Sequence, residues 1–353
     1  MTEQSETDTA SGIQEDPETG VLSAPVPEDC DGNRFDRTLA IMFPEYSRSR
    51  LKAWVQSGRA LLDGQSVAPK QAVSVGQQVE LLPEPEEVTE ARPEPMDLDI
   101  VFEDEHLLVI NKPAGLVVHP GAGNHTGTLV NGLLAYDPNL SALPRAGLIH
   151  RLDKDTSGLL IVARSLPAHT GLVRALEQRE ISREYRAVCL GRLTAGGTVD
   201  APVGRHPQHR TKMAVSQTGK PAVTHYRVLM RFDHFTLVAC RLESGRTHQI
   251  RVHMTHEKHP LVGDPLYTRR LVMPPGASEA LQEALHGFRR QALHAFRLAF
   301  AHPVSGEDIE LFADMPEDLI SLLQLMSDKV SDKTSVSAAD LNALRWPEQN
   351  NNN

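Results

Sequence analysis

The stretch GLIHRLDKDTSGLLIVAR, residues 147–164, carries the side chains best placed to do chemistry. It sets Asp153 and Asp155 among Arg151, Lys154 and Arg164, then breaks at Thr156-Ser157-Gly158 into an apolar run. Cations around a carboxylate favour its charged form, so Asp153 is read as an anion. An ionised carboxylate can act as nucleophile, general base, cation partner or metal ligand. Two of these readings weaken on inspection. Asp153, Asp155, Ser157 and Gly158 match the opening of an EF-hand loop, but the twelfth position is Arg164 where calcium needs a bidentate Glu. An aspartyl nucleophile of the phosphatase type follows a strongly apolar strand and reads DxDx[TV]. Here His150-Arg151-Leu152 precede it and Ser157 stands fifth.

Other clusters are tested the same way. His248, His253, His256 and His259 invite a zinc reading. His256-Glu257-Lys258-His259 is H-E-x-H, however, without the spacing that sets two imidazoles on one helical face, so no metal is expected. Gly121-Ala122-Gly123 is a weak phosphate loop, since no helix with a suitable Lys follows.

The whole chain then sets limits on the answer. Its 353 residues allow two domains plus tails. No apolar run approaches a membrane span and the N-terminus lacks a signal-peptide pattern, so a cytoplasmic protein without a membrane partner is expected. Cys30, Cys189 and Cys240 are too few and too scattered for a disulfide framework, and read as ordinary thiols. The net charge of −10 is misleading, because residues 1–33 hold nine acids and no Lys or Arg. Residues 145–251 carry 18 Lys and Arg against 8 acids, with seven histidines. Such a local excess, dominated by Arg, points to a nucleic-acid partner rather than to a merely solvated surface.

Elements must position these residues. Residues 1–32 are acidic, rich in Ser, Thr and Pro, and read as a disordered tail. Residues 33–83 form a compact α/β unit. A helix is predicted over 34–43, and a second over 48–57, capped by Ser47 or Ser49. Strands near 59–63 and 79–81 complete it. Residues 84–97 are an acidic, Pro-rich linker. From 98 to 327 short strands dominate, at 98–102, 107–111, 159–163, 185–190, 222–230, 234–242 and 297–301, with one clear helix at 168–179. That pattern predicts an α+β domain with a large, mostly antiparallel sheet. Residues 328–353 read as a flexible C-terminal tail.

HRLDKDTSGL resembles, over ten residues in register, the catalytic motif of the RluA family of RNA pseudouridine synthases. In that family the first Asp, here Asp153, is catalytic. The likeness extends from about residue 34 to 320. NKPAGLVVHP (111–120) matches the first conserved block and reads as scaffold near the cleft. REYRA (183–187) matches the block that supplies an active-site tyrosine, here Tyr185. LESGRTHQIRVH (242–253) matches the third, which implies that Arg251 pairs with Asp153 and that Ile250 packs against uracil or Tyr185. RHPQHRTKM (205–213) and GKPAVTHY (219–226) are similar to an RNA-gripping insertion, with Arg205 and Arg210 as contacts. The order helix–helix–strand–turn–strand, with DRTLA and SRSRLKAWVQSGRALLDGQ, is similar to an S4 RNA-binding domain. Its basic second helix would touch RNA backbone through Arg48, Arg50 and Lys52.

The resemblance implies a pseudouridine synthase fold with a large mixed, mainly antiparallel sheet behind an S4-like domain. It implies conversion of uridine to pseudouridine with no cofactor, in the branch that acts on large-subunit (23S) ribosomal RNA or a pre-ribosomal particle, by a monomer. The target nucleotide would be flipped out, with Arg151 filling the vacated stack. Asp153 would attack C1′, take a ribose proton or add to the base, and the sequence leaves these three open. Arg251 and Tyr185 would serve chemistry rather than folding. Two rivals remain: an S4-bearing RNA-binding or ribosome-assembly protein without catalysis, and an Asp-dependent phosphohydrolase needing magnesium. The intact set Asp153, Tyr185 and Arg251 argues against the first.

Overall fold

The computed structural model describes residues 14–15, 21–43, 46, 48–83, 91–121, 124–209, 211–268, 273–327 and 336–347. The chain forms two compact units, residues 1–90 and 91–353.

In the first unit Gln14–Glu15 (β1) and Leu22–Pro25 (β2) precede two helices, Phe35–Met42 (α1) and Arg48–Gln56 (α2). Ala60–Leu62 (β3) and Gln78–Leu81 (β4) follow, giving a sheet of order β1-β2-β4-β3. Phe35 and Leu39 of α1 and Leu51, Trp54 and Val55 of α2 bury the apolar stripes read from the sequence, closing a core over Val79 and Leu81. The disordered tail expected up to residue 32 is corrected here. Leu22–Pro25 pairs with β4, and Val26 and Cys30 are buried in that core. Acidic composition concealed a strand whose apolar residues fit a core already half built. Ser47 lies outside the described residues, as does the side chain of Ser49.

Among the described residues, the second unit is an α+β domain built on a sheet of nine strands. In chain order they are Ile100–Glu103 (β5), Leu107–Lys112 (β6), Ser157–Ala163 (β7), Ser182–Leu190 (β8), Gly197–Asp200 (β9), Val223–Arg231 (β12), Phe235–Leu242 (β13), Leu293–Ala301 (β14) and Asp308–Phe312 (β15). A separate hairpin joins Val203–Arg205 (β10) to Met213–Val215 (β11). The sheet order is β5-β6-β7-β14-β8-β13-β12-β9, with β15 also on β14. Only β14 and β7 run parallel; the other pairs are antiparallel. The expected mixed, mainly antiparallel sheet is thus present.

Alternation sorts the side chains. Leu108 and Ile110, Leu160 and Val162, Tyr185 and Ala187, and Val238 and Cys240 face one core. Leu129–Tyr136 (α3) and Gln249–His256 (α5) pack on that face through Leu133, Ile250 and Met254. On the other face, Leu166–Glu177 (α4) covers β6 and β7 through Ala168 and Leu172. Glu279–Gly287 (α6), Glu317–Ser327 (α7) and Ala338–Ala343 (α8) cover the opposite end. β7 is buried along its whole length, which is why Ser157–Ala163 reads as an unbroken apolar run.

Both expected boundaries of this domain shift. The linker ends early, since Arg92 and Glu94 already bond to Asn131 and Gly127 of the domain. The flexible tail is also corrected. Leu341 of α8 is buried, the Leu344 carbonyl accepts from buried Arg186, and the Trp346 ring lies 4.2 Å from the Arg241 guanidinium.

Candidate active site

The residues 147–156 loop enters β7 on the Tyr185 side of the sheet. Its end is fixed to β14 and the segment before it: Gln291 Nε2 donates to Thr156 Oγ1 at 2.9 Å and Ser157 Oγ meets His294 Nδ1 at 2.9 Å. Gly158 lets the two strands close, because φ is +109° and a Cβ there would lie 2.2 Å from the Ala295 carbonyl. From below, Lys112 supports the loop. Its buried ammonium donates to the carbonyls of Pro113, Leu116 and Lys154 at 2.8–2.9 Å. Burial pushes Lys112 down to about 8, although Asp155 and Asp153 pull it upward. From its motif, Lys112 was expected to be scaffold only. Lys112→Met should strand three carbonyls and cost about 2 kcal/mol of stability, readable as a lower urea midpoint. An unchanged midpoint would show that water replaces the ammonium.

Asp153 meets its cation here. Arg251 Nη1 donates to Asp153 Oδ2 at 2.9 Å, as the resemblance implied. The cations near Asp153 in sequence go elsewhere: Arg164 pairs with Asp137 and Glu103, and Arg151 is exposed on the cleft wall. Sequence reading missed what holds Arg251. Its Nε and Nη2 donate to Asp264 Oδ2 and Oδ1 at 2.7 and 2.9 Å, and Asp264 Oδ1 also accepts from the Leu266 and Tyr267 amides. Burial disfavours the guanidinium charge, but Asp264 and then Asp153 outweigh it and hold Arg251 above its usual range. The one signal for Asp264 was its place in Gly263-Asp264-Pro265, which reads as a turn.

The loop carrying α5 is tied down by Gln249. Its Oε1 accepts from the Ser244 hydroxyl and the Arg246 amide, and its Nε2 donates to Val223 O and Thr224 Oγ1. The histidines split into separate duties instead of converging. His248 Nδ1 meets the Tyr267 hydroxyl at 2.9 Å, and its Nε2 stands 3.9 Å from Asp153. His253 bonds Thr224 and the Ala201 carbonyl, and His259 donates to Leu190 O. Among the described residues no three His, Cys, Asp or Glu side chains form a metal-holding group.

Asp153, Arg251, Tyr185, Ile250 and Arg151 line one cleft of about 890 Å³, together with His119, Arg145, Arg183 and Arg246. Tyr185 is 6% exposed and Ile250 3%, and both belong to the core beneath the cleft floor. Tyr185 is the fourth residue of β8 rather than its start. Arg205 is exposed at the end of β10 and does not line the cleft. Arg210 lies outside the described residues. Arg48 and Lys52 are exposed on α2, which also carries Arg50, whose side chain is outside the described set. No helix among the described residues is long and apolar enough to cross a membrane.

Residues 106–256 match the family described as RNA pseudouridylate synthase. The chain is 55% identical over 309 residues to the ribosomal large subunit pseudouridine synthase D of Xanthomonas campestris pv. campestris, covering 88% of this chain and 93% of that one. It is 54% identical over 306 residues to the protein of that name from Escherichia coli K12, covering 86% and 94%. Among solved structures it is similar to human RNA pseudouridylate synthase domain containing 4, with TM-score 0.50 and 25% identity over 64% of this chain and 92% of that one. On these matches the chain belongs to the RNA pseudouridylate synthase family and is an RNA pseudouridine synthase.

Proposed function

We propose that this enzyme isomerises uridine to pseudouridine in large-subunit (23S) ribosomal RNA, free or in a pre-ribosomal particle, at several uridines of one stem-loop, and so contributes to ribosome biogenesis. The observation that carries the chemistry is Arg251 bridging Asp153 to buried Asp264 beside Tyr185 in the cleft. The choice of RNA rests on relatives 54–55% identical that carry the large-subunit name. Asp153 is the catalytic carboxylate, Arg251 aims and neutralises it, and Tyr185 stacks on the uracil with Ile250 behind. The cleft is concave, so the target nucleotide leaves its stack and Arg151, exposed on the wall, fills the gap. The reaction is an isomerisation without redox change, and it asks for no cofactor. The enzyme works as a monomer in the cytoplasm. Residues 21–83 act as an S4-like RNA-binding unit, with Arg48, Arg50 and Lys52 on phosphates, while Arg205 and Arg210 grip RNA beyond the cleft.

The deciding experiment is pseudouridine mapping of ribosomal RNA from cells lacking the gene, with and without the purified protein added back. Sites that vanish in 23S RNA and return on addition support the reading; full modification in the deletion strain overturns it. The first unit has its own test. An Arg48→Ser/Lys52→Ser protein should lose about two counterions from the salt slope of RNA binding while keeping its rate at saturating enzyme. An unchanged slope, from affinity titrations across salt, would remove α2 from the interface.

A further inference from the structure

The cleft holds a cation that no carboxylate among the described residues answers. Arg183 is 4% exposed and lines the cleft, yet no carboxylate among the described residues lies within salt-bridge range. Its Nε is buried without any hydrogen-bond partner. The nearby acids are engaged: Asp153 with Arg251, Glu243 with Arg179 and His225, and Glu184 across the sheet with Arg186 and Arg241. His150 is a neutral neighbour, since burial and then Arg183 push its pKa down to about 3. Space is kept for the guanidinium, because a Cβ on Gly245 would lie 2.8 Å from Arg183 Nη1. A buried, unanswered guanidinium is costly, so a fold that keeps one has a use for it.

Arg183 and Tyr185 are two residues apart on β8 and face the cleft together. Tyr185 stands within electrostatic reach of both Arg183 and Asp153. A uracil stacked on Tyr185 would share the cleft with Asp153 and Arg183. We propose that Arg183 is a further catalytic residue, one that binds the uracil carbonyl and stabilises the negative charge the base acquires during the reaction.

That charge arises by every route open to Asp153, on whose role above the inference rests. If the carboxylate attacks C1′, a C1′–O bond forms, the N1–C1′ bond breaks, and its electron pair spreads over N1 and the carbonyl oxygens. If Asp153 takes the C2′ proton, a C1′–C2′ double bond forms and the same pair leaves with the base. If Asp153 adds to C6, the electrons move to O4 as an enolate. The base then joins C1′ through C5: in the first route the C1′–O ester bond breaks as C5 attacks, in the second C2′ takes its proton back from Asp153, and in the third the N1–C1′ bond breaks as C5 bonds C1′ and the C6–O bond to Asp153 breaks afterwards. In each case the C5 proton is lost and N1 gains one. A cation already in place costs no reorganisation when the charge appears.

The test uses the full-length protein and a 23S stem-loop transcript. Arg183→Met should lower the single-turnover rate by about 10²–10³-fold, the usual effect of removing one oxyanion donor. RNA affinity and its salt slope should stay unchanged, thermal stability should hold or rise, and Arg183→Lys should fall between. Gly245→Ala, which keeps the arginine and crowds it, should lose rate more mildly. Replacing target uridines by 5-fluorouridine, whose base is the more acidic, should shrink the Arg183→Met defect, read as loss of the starting nucleoside after digestion. A full rate with weaker affinity and a salt slope shallower by about one would make Arg183 a phosphate contact and overturn the proposal. Equal losses of stability and rate in both Met and Lys variants would make it structural and overturn it too. Asp153→Asn separates the levels: if it is inactive while Arg183→Met is fully active, only this inference fails.

Discussion

An Asp153→Asn protein is expected to fold, to bind RNA and to make no pseudouridine, with the rate down by roughly 10⁴-fold or more, as when a covalent or basic group is removed. The substitution keeps the shape and discards the charge. Arg251 does not collapse when it happens, since Asp264 still takes its Nε and Nη2. Lost activity with a retained melting temperature and retained affinity for the stem-loop is therefore the diagnostic result. Measurable turnover by folded Asp153→Asn would remove Asp153 from the chemistry.

Arg251→Met is the second large effect, and the structure changes what it should do. Sequence reading made Arg251 a residue of chemistry whose loss leaves the fold nearly untouched. In the fold its planar fork spans two carboxylates, one of them fully buried, and Tyr267 lies beneath it at 5.1 Å. Removing it leaves Asp264 buried with only backbone donors, which costs about 3–5 kcal/mol. It also frees Asp153 to turn. Both stability and rate should fall, the rate by about 10³-fold beyond any loss of folded protein, if one aimed charge is worth about 4 kcal/mol. Arg251→Lys should restore part of the stability and little of the rate, because a single ammonium cannot reach both carboxylates. Calorimetry and single-turnover kinetics on the same samples check this. A normal rate in a destabilised Arg251→Met protein would reduce Arg251 to a structural ion pair.

What could be read in the sequence was whatever repeats along the chain. The stripes of α1 and α2 and the long strands β6, β7, β12 and β13 lay within a residue or two of their places, because apolar periodicity marks them. β9, the β10–β11 hairpin and β15 escaped, being short, polar or at an edge, with no period to detect. The misjudged tails have another cause. Leu22, Val26, Leu341 and Trp346 lie in short segments within acidic or polar stretches and become core or clamp only against surfaces made by distant residues. At the site, Asp153, Tyr185 and Arg251 stood in motifs long enough to be recognised. Asp264 lay outside any such motif, and only pairing across 13 residues of turn and helix reveals it. Arg183 was inside a motif, but its lack of a partner is a property of space.

The position of β14 has a consequence for biosynthesis. It lies between β7 and β8, joining the half-sheets β5-β6-β7 and β8-β13-β12-β9, whose strands are all complete by residue 242, with only β15 still to follow. On the ribosome both inner edges stay unpaired until residues 293–301 emerge, and unpaired edges invite wrong partners. Chain order thus makes the last-but-one strand the keystone, so the catalytic unit closes only near the end of its translation. A nascent chain stalled before β14 should be open to protease where the released enzyme is resistant.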